Sequence, residues 1–276
     1  MAQITATDVN KLRQMTGAGM MDCKKALTEA DGNFDKAIQI IRERGQSIAN
    51  KRSDREASEG VVLASTNANQ TLGVIIALKC ETDFVAKNVD FIKLAENILD
   101  KAINNNPSNL DALKALDLDG VAIADKIIEQ TGIIGEKLEL SYFEKVEAAQ
   151  VAFYIHSDKK LATLVGLNKS ISDTQVGKDI AMQVAAMDPV AIDKDFVSQE
   201  TIEKELEIGR NQAIAEGKPA ELVDKIAQGK LGKFYKDSTL LNQDFIKENK
   251  LSVKQYLQNN EKDLTVTAFK RCSIKQ

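Results

Sequence analysis

The sequence predicts an α+β protein: an N-terminal three-helix bundle, a duplicated α/β core with antiparallel sheets, and an antiparallel helical hairpin inserted into that core. Three patterns carry the prediction. Phe34, Ala37, Ile38 and Ile41 recur at i, i+3, i+4 and i+7, the period of an amphipathic helix. The order strand, polar turn, strand, helix occurs twice, ending near Lys101 and again near Met187, as an internal duplication would leave it. Between residues 198 and 235, Ile202, Leu206, Gly209 and Ala213 follow one another at steps of four, three and four, the seam of a coiled coil.

Taken in order, residues 7–44 read as three short helices. The first turns Val9 and Leu12 inward from a cap at Thr7. The second presents Ala26, Leu27 and Ala30, and the third is capped by Asn33 and ended by Gly45. TGAGMM, residues 16–21, is a turn followed by two exposed methionines. KRSDREASEG, residues 51–60, is charged and has no apolar period, so it reads as a linker. GVVLAST and TLGVIIALKC are strand runs joined by NANQ, whose polar residues suit a hairpin turn. The helix that follows is expected to carry Val85, Val89, Ile92 and Leu99 on one face.

After a break at Pro107, DALKAL and VAIADKIIEQ read as helices, the latter stopped by Gly132. EKLELSYFEKVE, QVAFYIHS and KLATLVGL are three further strands, followed by a helix with Val176, Ile180, Val184 and Met187 on one side. Gly217, Lys218 and Pro219 stop the first arm of the hairpin and restart the second, with Pro219 in its first turn. Val223, Ala227, Lys230 or Leu231, and Phe234 form the returning seam. A helix over 253–257 and a last strand, LTVTAFKRC, complete the chain. The expected organisation is a bundle at 1–50, a linker at 51–60, an N-subdomain of the core at 61–140, a C-subdomain at 141–190 and 238–276, and the hairpin at 191–237.

Composition excludes several classes of function. The chain has 41 acidic and 37 basic residues, a net charge of −4, which gives no global attraction to nucleic acid phosphates. No basic strands interleaved with aromatics suggest RNA binding either. Cys23, Cys80 and Cys272 are far apart, odd in number and in no CxxC arrangement, which argues against a disulfide framework or a zinc site and fits a reducing cytoplasm. No apolar run reaches the length of a membrane span, and MAQITATDVN has no signal-peptide pattern.

Catalytic chemistry is hard to place. His156 is the single histidine, and no serine or cysteine has an evident base beside it. Gly17 to Gly19 follows a helix and lacks the lysine and hydroxyl residue that end a phosphate loop. No cofactor is expected and covalent catalysis is not. His156 falls at a hairpin tip, where a lone histidine is usually a solvated loop residue. Asp83 and Phe84 stand where a strand gives way to a helix. In one reading Thr82 or Asp83 caps that helix and Phe84 packs over its first turn; in the other a rigid corner presents a carboxylate and a ring to a partner.

LRQMTGAGMMDCKKAL, residues 12–27, followed by CETDFVAKN, residues 80–88, resembles the elongation factor Ts family of bacterial translation over essentially the whole chain. The resemblance implies a ubiquitin-associated-like fold for the bundle and an exchange activity that releases GDP from elongation factor Tu. It implies that Leu12, Arg13, Met20, Met21 and Lys24 dock the bundle on the partner's nucleotide-binding domain, and that Thr82, Asp83, Phe84 and Val85 enter beside its magnesium ion. His156, Phe245 and Ile246 are implied to touch another part of the partner. The rival reading is a ubiquitin-associated-type adaptor without exchange activity, which has no need of the second motif. Whether the hairpin makes a homodimer, recruits a further protein or braces the core stays open at the level of sequence.

Overall fold

A computed structural model describes residues 4–275. The chain is mixed α and β and divides into two compact units. The first takes the chain up to Leu63, Ile76–Phe143 and the residues from Ser273; the second takes Ala64–Ile75 and Glu144–Cys272.

In the first unit, helix α1 (Ala6–Thr16) starts from a capping box. The Thr5 hydroxyl accepts from the Asp8 N–H, and the Asp8 carboxylate accepts from the Thr5 N–H at 3.0 Å. The cap is therefore Thr5 rather than Thr7, because Thr5 has an acidic residue three positions on and Thr7 has Asn10 there. Gly17, at φ 72°, closes the helix in the left-handed conformation. Helices α2 (Met20–Glu29) and α3 (Phe34–Lys51) complete the bundle, α3 being capped by Asn33 as the sequence predicts. Val9, Leu12, Cys23, Ala26, Leu27, Ala37 and Ile41 form its core.

Gly45 does not end α3, which runs on to Lys51. Gly132 does not end α7 (Ile123–Ile134) either; Gly135, at φ 79°, does. These two glycines form a helix crossing. A Cβ placed on Gly132 would overlap the Gly45 Cα, so Gly132 must lack a side chain where the two backbones meet, whereas a Cβ on Gly45 would find ordinary contacts at 3.7 Å. The next residue of α7, Ile133, packs against the bundle core.

Strands β1 (Glu59–Thr66) and β2 (Leu72–Cys80) flank a turn in which the Asn67 side-chain carbonyl accepts from the Thr71 and Leu72 N–H groups. With β5 (Glu139–Glu147) they form a sheet in the order β1-β2-β5. β2 is central, which is why Val74 to Leu78 is an unbroken apolar run buried on both faces. After it come a single turn, α4 (Asp83–Ala86), and the longer α5 (Val89–Asn105). The buried face of α5 is Phe91, Leu94, Ala95, Ile98, Leu99 and Ala102, so of the expected stripe only Leu99 lies fully inside and Val89 is exposed. Asn88 is the reason: its side chain accepts from the Asp90 and Phe91 N–H groups, restarts the helix and resets its phase.

Short helix α6 (Leu110–Lys114) leads to a pair of two-residue strands, β3 (Asp117–Leu118) and β4 (Val121–Ala122). Their turn is Asp119-Gly120, both at positive φ, the Asp-Gly dipeptide of a two-residue hairpin.

The second unit is built on β6 (Gln150–Ile155), β7 (Leu161–Leu167) and β10 (Val266–Ser273), in the order β10-β7-β6. β6 and β7 are antiparallel, with Phe153 opposite Leu164. Helix α8 (Thr174–Met187) buries Val176, Ile180 and Val184, while Met187 is exposed. These residues share a core with Leu240, Leu241, Phe245, Val253, Leu257 and Val266. Helices α9 (Gln199–Ala215) and α10 (Ala220–Ser238) form the expected antiparallel hairpin, closest where Gly209 faces Ala227, with Ala213 and Leu231 also buried. Pro219 is the N-cap of α10 rather than part of its first turn. At the base of the hairpin, Ala191 bridges Thr239 and the Leu240 N–H donates to the Ala191 carbonyl. Strands β8 (Asp244–Phe245) and β9 (Glu248–Ser252) and helix α11 (Val253–Asn260) follow. Among the described residues no helix is long and apolar enough to cross a membrane.

Candidate functional site

The corner at the end of β2 is built from strong local signals. Cys80 is buried and its thiol donates to the Thr82 carbonyl at 3.2 Å. Burial, together with the charges of Glu136 and Glu59, pushes that thiol up to about 12, so it is protonated and structural. Thr82 is extended and caps α4, its hydroxyl accepting from the Val85 N–H at 3.4 Å. Asp83 and Phe84 therefore occupy the first two positions of a single helical turn held between the Thr82 and Asn88 caps. The capping reading is right for Thr82, but Phe84 does not pack over the turn: it is 83% exposed. The Asp83 carboxylate lies 2.6 Å from the Lys87 ammonium, one turn on, in a largely solvated pair.

A second stretch of chain clasps this corner. Glu136 accepts from the Thr82 N–H at 3.0 Å through one carboxylate oxygen and from the Thr82 hydroxyl at 2.7 Å through the other. Glu81 returns the contact, accepting from the Lys137 N–H at 2.6 Å and from the Arg52 guanidinium at 2.7 Å. The Lys137 ammonium donates to the Ser53 and Arg55 carbonyls just past α3. Burial pushes the Glu81 carboxyl up, but the Lys137 N–H and Arg52 outweigh it and hold the group below the ordinary 4.5.

A carboxyl lowered in the folded state contributes stability that is present above its ordinary value and lost as pH falls through the folded one. The melting temperature of the wild type is thus expected to fall more steeply below pH 4.5 than that of Glu81→Gln, which keeps an acceptor for Lys137 but has no charge. Equal acid slopes in paired calorimetric melts would remove the charge from the clasp.

On the bundle, Met20 and Met21 open α2 directly after the Gly17–Gly19 turn and are 52% and 65% exposed. Lys24 follows on the same side, three and four residues later, and Met21, Lys24, Lys25, Thr28, Glu29 and Arg44 line a shallow groove. Arg13 is exposed in the last turn of α1. Leu12 is elsewhere: it is fully buried in the bundle core.

In the second unit His156 is exposed at the β6–β7 turn, its Nδ1 3.1 Å from the Tyr154 hydroxyl. Phe245 is only 2% exposed and stacks on Tyr256 with ring centroids 4.0 Å apart. Its neighbour Ile246 is 42% exposed, and the Ile246 N–H donates to the buried Gln183 side chain at 2.9 Å. Asp179 braces the same turn, accepting from Lys247 at 2.7 Å and from the Tyr256 hydroxyl at 3.0 Å. Burial and Asp179 push the Tyr256 phenol well above its usual range.

Arg13, Met20, Met21, Lys24, Phe84, His156 and Ile246 are thus available at the surface, and Asp83 and Val85 are partly so. Leu12 and Phe245 are interior residues beneath exposed neighbours. Glu136, Glu81 and Arg52 escape a reading of the sequence, because Glu136 meets Thr82 across 54 positions and no local pattern joins them.

A family model described as Elongation factor TS matches residues 81–276. Full-length relatives agree. The chain is 51% identical to the elongation factor Ts of Flavobacterium psychrophilum over 99% of this chain and 100% of that one. It is 52% identical to that of Christiangramia forsetii over the same shares, and 50% identical to that of Porphyromonas gingivalis over 98% of each. With the CETDFVAKN corner, the methionine-bearing turn and this similarity along its length, the chain belongs to the elongation factor Ts family of translation elongation factors.

Proposed function

We propose that the chain is the guanine nucleotide exchange factor of elongation factor Tu: it binds the GDP form, displaces the magnesium ion and promotes GDP release so that GTP can bind. The observation that carries this reading is Phe84, a large apolar ring 83% exposed on a braced corner with a carboxylate beside it. A monomer gains nothing from such a ring in water, whereas a partner that accepts it gains most of its buried area.

Arg13, Met20, Met21 and Lys24 dock the bundle on the partner's nucleotide-binding domain, with Leu12 supporting them from the core. Thr82 to Val85 then enter beside the magnesium ion. Phe84 wedges between elements of the partner while Asp83 disturbs the ligands and waters that hold the ion. The ion bridges the nucleotide phosphates, so displacing it removes their main charge compensation. His156 and Ile246 make a second contact, with Phe245 holding Ile246 from beneath. No covalent step is needed. The chain acts by binding nucleotide-free Tu better than the GDP form, and by linkage GDP or GTP weakens its grip in return.

The test is stopped-flow release of a fluorescent GDP analogue from elongation factor Tu. Adding the chain is expected to speed release at least tenfold, equivalent to about 1.4 kcal/mol off the barrier. An unchanged rate at saturating chain would sink the proposal.

A further inference from the structure

Phe84 sits on a turn too small to hold itself. α4 is a single helical turn, a length that is marginal without support, and its cap bond from the Val85 N–H to Thr82 is long at 3.4 Å. Phe84, 83% exposed, has little buried surface to anchor it, and the Asp83–Lys87 pair is largely in water. Against these stands the Glu136 carboxylate, which takes both the N–H and the hydroxyl of Thr82 in short, charge-assisted bonds. The grip is reciprocal: residues 81 and 136 each supply a carboxylate to the backbone N–H beside the other, Lys137 and Thr82.

We infer that Glu136 is a positioning residue for nucleotide exchange. By holding Thr82 at two atoms from a distant stretch of chain, it sets the direction in which Asp83 and Phe84 leave the corner. This rests on the exchange reading above. Glu136 acts through Thr82: it removes the freedom that the turn would otherwise lose on binding, so the wedge arrives already oriented. Its loss therefore falls on the rate at which bound complexes release GDP, not on how often they form, since the bundle's docking side chains are untouched.

The experiment measures GDP release from elongation factor Tu against chain concentration for wild type, Glu136→Ala, Glu136→Gln and Asp83→Ala/Phe84→Ala. Glu136→Ala is expected to lower the limiting release rate at least tenfold while the half-saturating concentration stays within twofold. Glutamine can still accept from the Thr82 N–H and donate to its hydroxyl, so Glu136→Gln is expected to recover most of the rate. Amide hydrogen exchange should show protection lost at Thr82 and Val85 in the alanine variant and kept in the glutamine one.

A wild-type limiting rate for Glu136→Ala, or no recovery by glutamine, overturns the inference. Should Glu136→Ala melt below the assay temperature, Glu136→Asp carries the same rate prediction, since its carboxylate is one methylene too short to take both the N–H and the hydroxyl of Thr82. The double variant separates the two levels. If it releases GDP like wild type, the exchange reading itself fails; if it is slow while Glu136→Ala is normal, only the positioning role fails.

Discussion

Alanine at both Asp83 and Phe84 is expected to cut the acceleration of GDP release by ~30-fold or more while leaving the fold almost as stable as before. The two halves of that result come from different sides of the same geometry. A ring that is 83% exposed has little buried area to lose, so its removal costs the monomer well under 1 kcal/mol, as surface substitutions usually do. Asp83 forfeits an exposed pair with Lys87 worth ~0.5 kcal/mol and some interaction with the N-terminus of its own turn. For a chain of this size such losses move the melting temperature by about 3 °C at most. Against the partner the balance reverses. An aromatic anchor removed from an interface typically costs ~2 kcal/mol or more, and here that contact offsets the work of opening the nucleotide site. Stopped-flow release and thermal melts on the same preparation decide it. A double variant that exchanges like wild type, or one that slows only because it has unfolded, contradicts the assignment.

Gly132→Ala is expected to be among the most damaging single-methyl changes in the first unit, and Gly45→Ala to be harmless. At Gly132 the added carbon would overlap the Gly45 Cα, and backbone cannot swing aside as a side chain can. Helix α7 must then move off α3 and carry Ile133 away from the bundle core, at a cost of ~2–3 kcal/mol in the usual range for overpacking. At Gly45 the nearest atoms to an added carbon are 3.7 Å away, an ordinary contact. There the higher helix propensity of alanine is expected to stabilise by up to ~1 kcal/mol. Calorimetric melts of the two variants should therefore shift in opposite directions. Equal shifts would show that the crossing is looser than the contact distances require. Because Met20, Met21 and Lys24 belong to the bundle that α7 supports, Gly132→Ala should also raise the chain concentration needed for half-maximal exchange.

The parts of the fold that were legible are those in which each residue answers to near neighbours. The seam of Gly209, Ala213, Ala227 and Leu231 is a helical period, and the strand runs on either side of Asn67 are a period and a turn. The Thr82 cap is a three-residue pattern, and so is the Asn33 cap. Where fold and local pattern part, the reason is a contact or a restart that the pattern does not contain. Gly45 and Gly132 look like helix ends because glycine is the commonest residue there, and the same residue is used where two backbones meet. Val89 looks like part of a buried stripe because the restart at Asn88 is invisible to a period counted through it. The family motifs put Leu12 and Phe245 beside exposed residues, and in the folded chain both are buried. A motif runs along the chain and does not separate the residue that faces outward from the one beneath it.

Amino-acid order alone was enough for the long helices, the longer strands and the helical hairpin, since these rest on spacings of a few residues, and the two motifs carried the resemblance to the family. The exposure of Phe84, the clasp of Glu136 on Thr82 and the meeting of Gly45 with Gly132 could come only from the folded chain. Each joins residues dozens of positions apart or depends on what fails to cover a side chain, and neither property leaves a trace in local spacing. The corner that carries the proposed exchange chemistry is written in nine consecutive residues, but its rigidity is supplied from residue 136.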